Sequence, residues 1–437
     1  MSFSIHELKK YSLPFPILFL AVLPIFLPIF LVFPAVAQGE SATEEPAAIP
    51  ELPTVPSTFP EPPSEADIEA GATVNPLELN QPDPLLPTLA VDRPLSPQER
   101  SILDTSLDEL NRQAQAQLQS GDLAGALQTW TRELRLRRFL GPAEEVESLS
   151  RVGEVAWREN QVTEVRFITQ RLQEIEQEIE TRSPVDYDLL LQIAQAYQTL
   201  RARDQAVELY TQLLQQARQE QNVDREQQIL VALGSIHLAW FDFANAATAY
   251  EQLLTLAQSR NDAATTIEAL TQLSRIYQDN NQPEQAIAVQ QQLVEIYQRQ
   301  QRYDRITELK QSIGDNYVAL NRPDLAAPNY QEAFAVARSA QQYAYAGDAL
   351  QRLANLYVTL ERFQDALTVY QLLLDVRQQS YDTLGMMNTY DQIGQLHQTI
   401  GNEAQAIAAF QQGLQLAQQL NYKVSYFNTR LQELGRQ

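Results

Sequence analysis

The stretch YQDNNQPEQAIAVQ, Tyr277–Gln290, carries a polar run from Asp279 to Gln282, followed by Pro283 and Glu284. In isolation it reads as a loop able to hold a ligand. Forty residues upstream stands HLAWFDFANAATAY (His237–Tyr250). Downstream stand YVALNRPDLAAPNY (Tyr317–Tyr330), YVTLERFQDALTVY (Tyr357–Tyr370) and HQTIGNEAQAIAAF (His397–Phe410). A polar segment that recurs at a fixed period between two stretches of helical apolar spacing is the turn of a helix pair. Pro283 and Pro323 then fall in the first turn of the second helix, where the missing N–H costs nothing. Gly121 and Gly401 fill the same turn in other copies. The stretch is punctuation between helices.

Let position 8 be the small residue of each first helix: Ala114, Gly153, Ala194, Gly234, Ser274, Gly314, Ala354 and Gly394, spaced by 39, 41 and then 40 residues throughout. Twelve residues later come Ala126, Val165, Ala206, Ala246, Ala286, Ala326, Ala366 and Ala406. Four further on lie Trp130, Thr169, Tyr210, Tyr250, Gln290, Tyr330, Tyr370 and Phe410. Small residues at two fixed places let two antiparallel helices approach closely, and the aromatic is expected to fill the gap toward the next unit. One such pair has too little core to stand alone, so neighbours must stack.

This pattern resembles the tetratricopeptide repeat family over residues 106–420. The small residue 8, the alanine 20 and the aromatic 24 of that family match the residues above, and its aromatic 11 matches Tyr197, Tyr277, Tyr317 and Tyr357. The period of 40 exceeds the family's usual length, as in the long-helix repeats of kinesin light chain, so each helix is expected to be longer by up to a turn. The resemblance implies an all-α, right-handed α-solenoid of eight antiparallel helix pairs over 96–437, with a helix over Asn421–Gln437 covering the last pair. The first two units depart from the pattern: Gln113, Gln117 and Glu133 in one, Val165 and Thr169 in the other.

Upstream of the repeats the composition changes twice. Lys9 and Lys10 precede the apolar run Ile17–Phe33, then Pro34 and Ala35-Val36-Ala37. A basic start, an apolar run and a small-x-small end form a signal peptide over 1–37, or an uncleaved anchor, and either one moves the rest across a membrane. The expected destination is the periplasm or a thylakoid lumen. Residues 38–95 hold twelve prolines and many acids without helical or strand period, and read as a disordered, extended acidic linker. Ser96, Pro97 and Glu99 then spell a helix start.

The chain has 437 residues, a formal charge of −23 and no cysteine. The acidity speaks against nucleic acid, whose phosphates need clustered Lys and Arg. It equally speaks against anionic membrane surfaces, leaving the membrane to the N-terminal segment alone. Absent cysteine removes disulfides and thiolate chemistry. Beyond the leader the only histidines are His237 and His397, four units apart, so they cannot share a metal or a proton. No phosphate loop, nucleophile elbow or zinc-protease motif occurs, so no enzyme and no cofactor are expected. The acids of LQEIEQEIE (Leu172–Glu180) read as a solvated helix face.

In the family, first helices line a concave groove that binds peptides. Residues of this sequence expected there are Arg151, Glu154, Trp157, Gln195, Gln198, Arg275, Gln311, Asp315, Gln351, Asn355, Asp391 and Gln395. Lys310, the only lysine of the first helices, falls at a packing position, so a lysine clamp for a chaperone's terminal carboxylate is not expected. An amide-rich wall suits an extended peptide, and alternatively a glycan or cell-wall polymer. Trp240 and Phe241 form an expected apolar contact edge. The sequence is thus read as a non-catalytic extracytoplasmic scaffold for protein or peptide partners, with self-association open to measurement.

Overall fold

The structure, a computed structural model, describes residues 75–77, 83–86 and 93–435. The leader and most of the linker lie outside the described residues. The first helix opens as its sequence dictates: Ser96 accepts from the Glu99 N–H and the Glu99 carboxylate accepts from the Ser96 N–H. A hydrogen bond from Arg93, reinforced by those from Ser96, holds the Glu99 carboxyl down to about 2.

Seventeen helices follow among the described residues. The first pair is α1 (Pro97–Gln119) with α2 (Leu123–Arg137), the second α3 (Pro142–Arg158) with α4 (Val162–Glu180). The third is α5 (Tyr187–Thr199) with α6 (Arg203–Gln219), the fourth α7 (Val223–Ala239) with α8 (Phe243–Ser259). The fifth is α9 (Ala263–Asp279) with α10 (Pro283–Arg299), the sixth α11 (Tyr303–Ala319) with α12 (Pro323–Ser339). The seventh is α13 (Tyr343–Thr359) with α14 (Phe363–Gln379), the eighth α15 (Thr383–Thr399) with α16 (Glu403–Leu420), and α17 (Val424–Leu434) covers α16. Each helix packs on its neighbours in the chain, which makes the molecule an α-solenoid.

From α6 to α15 every helix has 17 residues. Two such helices and two three-residue joints make the forty-residue period. Each joint holds one residue in the left-handed region: Arg201, Gln221, Phe241, Asn261, Asn281, Gln301, Asn321, Gln341, Glu361 and Tyr381, with φ between 53° and 61°. The joint closes by two reversed hydrogen bonds, as where the Asn321 N–H reaches the Val318 carbonyl at 2.9 Å and the Arg322 N–H reaches the Tyr317 carbonyl at 2.8 Å. Joints within a pair and between pairs are therefore alike. Glycine, the usual occupant, appears in this role only at Gly121 and Gly401 among them.

The ring at position 24, expected to fill the gap toward the next unit, does so at the end of the stack, where Phe410 meets Phe427 of α17 with ring centroids 6.5 Å apart, and it has a second role inside its pair. It lies on the small residue of its own pair. A Cβ added to Gly234 would stand 2.5 Å from the Tyr250 ring, one on Gly314 2.4 Å from Tyr330, and one on Gly394 2.6 Å from Phe410. In the fifth pair a hydrogen bond replaces the ring: Gln290 is buried and donates to the Ser274 and Ser312 hydroxyls at 3.0 and 2.9 Å. Its carbonyl accepts from the Asn316 side chain at 3.0 Å. In the second pair Thr169 offers no ring, and Leu200 of the third pair covers Gly153 instead.

Some of the expected linker is packed. Leu77 is buried in the main apolar core, and its carbonyl accepts from Arg138. Asp83 pairs with Arg132 at 2.8 Å, and Leu85, Leu86 and Leu95 lie against Leu103, Leu107, Leu110, Leu136 and Leu140. These short segments clasp the first pair, so packed chain begins upstream of Ser96. The cause is chemical: isolated leucines in a proline-rich stretch give no period, yet each finds an open apolar surface at the end of the stack.

Candidate functional site

The exposed faces of the first helices divide into residues still free and residues already engaged by the protein. Arg151 belongs to the second group. It pairs at 2.7 Å with Glu133, a fully buried carboxylate, and also donates to Asn111. Glu133 stands where later units carry Leu213, Leu253, Leu293 and Leu373. Arg137, four residues on, pairs with the same carboxylate at 3.1 Å and with Asp104 and Asp108 at 2.7 and 2.6 Å. A charge in a core position is sustained here by two arginines.

Gln311 is buried and donates to the Tyr345 carbonyl at 3.0 Å. Asp315 accepts from the Tyr330 hydroxyl at 2.7 Å and pairs with Arg352. Gln198 spans to Ser235 and Tyr210. Gln351 meets Asn355 and Arg377. Asp391 and Gln395 bond to Tyr426, a residue of α17 that lies across the end of this face. Glu154, Trp157, Gln195, Arg275 and Asn355 keep exposed side chains, with Arg275 in a loose pair with Asp279 at 3.5 Å.

Two candidates that the sequence kept apart come together. Trp157, 42% exposed, lies under the Arg201 guanidinium at 5.2 Å. Two residues on, Arg203 lies over Trp240 at 5.9 Å, and Phe241 beside it is 71% exposed. Arg203 also pairs with Asp242 at 2.7 Å, and His237 contacts the same Asp242 oxygen at 3.0 Å. Three consecutive turns thus form one edge of aromatic and guanidinium faces. Arg201 and Arg203 were missed from the sequence. Their signal was the RARD turn (Arg201–Asp204), which carries two arginines where the following turn carries Phe241 and Phe243.

Other expectations shift in detail. Phe243 is half-buried and meets Phe241 edge to face at 6.3 Å. Glu176, read as solvated, accepts from the Tyr197 hydroxyl at 2.6 Å, and burial pushes its carboxyl up. His397 is partly buried, its Nδ1 finds no partner, and burial pushes its imidazole down. Lys310 is tied to Glu332 at 2.5 Å, as its packing position requires. Among the described residues no group of three or more His, Asp or Glu stands together to hold a metal ion, and no helix is long and apolar enough to cross a membrane.

Family models described as tetratricopeptide repeat match residues 189–224, 227–260, 266–299 and 345–419. The chain is a tetratricopeptide-repeat protein. Solved structures similar to this tetratricopeptide-repeat protein include that of MamA, 19% identical, with 46% of this chain and 94% of that one covered and a TM-score of 0.34. A signal-transduction ATPase with a tetratricopeptide repeat sensor from Pyrococcus horikoshii is 13% identical over 78% of this chain and 50% of that one, with a TM-score of 0.39. A putative kinesin light chain from Podosopora anserina, with nearly identical TPR-like repeats, is 15% identical over 44% of this chain and 96% of that one, with a TM-score of 0.35. These likenesses are of fold alone. No curated protein matches the chain.

Proposed function

We propose that this tetratricopeptide-repeat protein is an exported, non-catalytic scaffold that binds a partner protein along the exposed face of its first helices. The observation that carries this reading is the edge formed by Trp157, Arg201, Arg203, Trp240 and Phe241. Exposed tryptophan and arginine in mutual contact are what binding hot spots are made of, because a large flat surface is held in place before the partner arrives. Gln195, Arg275 and Asn355 extend the contact along the stack, with many weak interactions in series. The leader at 1–37 supports export, to a periplasm or a thylakoid lumen.

The test is photocrosslinking in intact cells from single sites of the full chain. A photoreactive residue at 195 or 241 is expected to give a discrete protein adduct, and one at the exposed Gln292, on a second helix, none. Equal labelling from all three sites, or none from 195 and 241, would sink the reading. Trp157, an exposed ring, also suits a cell-wall polymer. Co-sedimentation of the protein with insoluble wall material, lost in Trp157→Ala, would favour that alternative. Gln198 and Gln311 are already engaged within the protein, which leaves a polymer fewer amides than the sequence promised.

A further inference from the structure

The described part of the linker already docks on the stack. Asp83 takes two hydrogen bonds from Arg132, at 2.8 and 2.9 Å. Upstream of it Leu77 is buried in the main core, and its carbonyl accepts from Arg138, in the joint that leads into α3. Asn75 is buried as well and its side chain accepts from the Leu77 N–H at 3.0 Å. Followed upstream, the chain thus passes from the first pair toward the second and is still held by the protein where the described residues begin.

Residues 38–74, outside the described residues, hold seven prolines. Pro50, Pro53 and Pro56 are spaced by three, the repeat of a polyproline II helix, so in that conformation they share one face. Grooves lined with aromatic rings bind such a face, because it is stiff beforehand and loses little entropy. The edge described above offers the rings. Each of its indoles carries a guanidinium over one face, yet Trp157 stays 42% exposed, Trp240 38% and Phe241 71%. Its charges nearly cancel. Arg158 pairs with Glu159 at 3.4 Å and Arg203 with Asp242 at 2.7 Å. Glu154 and Asp204 are exposed, and no carboxylate among the described residues pairs with Arg201. Net charge therefore neither draws nor repels an acidic segment, and the rings select the prolines. Reach is sufficient. The 17 residues of α3 run about 25 Å from the joint beside Arg138 to Trp157. Fifteen residues separate Pro60 from Asn75, and they span up to about 46 Å in polyproline II geometry.

We propose that residues 50–60 of the same chain lie on the Trp157–Phe241 edge, with Pro50, Pro53 and Pro56 against its exposed rings. The docking continues the clasp made by Leu77 and Asp83. It rests on the scaffold reading for the edge as a binding surface, and it adds an internal occupant. Because the segment is joined to the stack, its effective concentration at the edge is on the order of millimolar. A partner protein has to displace it.

The chain has no cysteine, so Ser57→Cys places a nitroxide label at one site. The test is fluorine NMR of the full chain carrying fluorotryptophan at Trp130, Trp157 and Trp240, each signal assigned by its Trp→Phe variant. The Trp157 and Trp240 signals are expected to be lost beside the oxidised label and to return when ascorbate reduces it. Pro50→Ser, Pro53→Ser and Pro56→Ser together keep the length and charge of the segment. In that variant both signals are expected to persist with the label oxidised. Signals that persist beside the oxidised label in the parent chain, or that stay lost in the triple variant, overturn the proposal. The measurement needs no partner protein, so its failure leaves the photocrosslinking result standing. Failed crosslinking with the signals lost would strike the partner and leave the docking.

Discussion

The first pair and the later pairs build the same architecture from opposite materials. In the fourth, sixth and eighth pairs the contact is a ring on a glycine, and the positions around it are leucine and alanine. In the first pair, Trp130 donates to Asn111, but the next core places are Glu133 and Arg137, which pair with each other, and Glu133 is tied to Arg151 across the pair boundary. A terminal pair has one neighbour fewer, and here a buried ion cluster and a clasp of linker residues stand in for it. The comparison teaches that the repeat fixes the backbone while leaving open which chemistry fills a given layer.

Breaking the first pair's charges gives the largest expected effect. Glu133→Ala should cost about 3–5 kcal/mol, because Arg151 and Arg137 lose their shared buried partner. The triple change Glu133→Leu, Arg137→Ala, Arg151→Gln installs residues that later units carry at these places. It should be neutral or stabilising by about 1–4 kcal/mol. Chemical denaturation of both variants decides, and a triple variant as weak as the single one would show that the layer is not interchangeable.

The fifth pair sharpens the same comparison. Gln290→Leu leaves the Asn316 amide and two serine hydroxyls without their acceptor or donor, at a cost of about 1–3 kcal/mol. Ser274→Gly with Gln290→Tyr restores the ring on a glycine and should recover most of that loss. A double variant no more stable than Gln290→Leu would mean that the seam depends on Ser312 and Asn316 in a way the other pairs do not.

Smaller effects are expected at the joints. Tyr381 is left-handed and 92% exposed, so it holds a strained backbone and packs little. Tyr381→Gly should raise stability by about 0.5–1 kcal/mol by relieving that backbone, with crosslinking to the partner unchanged. Phe241→Gly should be stabilising or neutral on the same ground, yet weaken partner capture if the edge binds. Loss of capture in both, or in neither, would break the distinction between them.

The smallest effect is a pH slope. Burial holds the His397 imidazole below its ordinary 6.5, so folding favours its neutral form. That contribution is fully present above 6.5 and is lost as pH falls through 6.5 toward the lower folded value. His397→Tyr, the residue that several units carry there, should flatten the decline in Tm between pH 8 and pH 5.5. An unchanged slope would assign the decline to other groups.

Much of this was legible from the chain alone. Position 8 and the alanine at 20 predict where two helices approach closely, since helical spacing and small volume act locally, whereas the seat of the aromatic at 24 on position 8 of its own pair was not read from the sequence. The joints were half legible. Pro283 and Gly401 marked them, but ten non-glycine residues in the left-handed region cannot be recognised from identity, because the two helices they join impose the conformation. The contact face was the least legible part. Whether Gln311 or Gln195 is free depends on the offset of one pair over the next, which no single unit encodes. Leu77 escaped for a related reason: its partners lie some sixty residues away, as Arg138 does.

A joint of one size at every helix end from α5 onward has a consequence for how such an array changes length. Excising residues 263–302 would remove a whole pair and bring Asp262 directly before Tyr303, recreating a joint like those lost. Excising half as much would leave an equally good joint but set two helices of the same type side by side, a glycine without its ring. Growth and shrinkage by duplication are thus confined to steps of forty residues, and the confinement comes from the side chains, since the backbone would accept twenty.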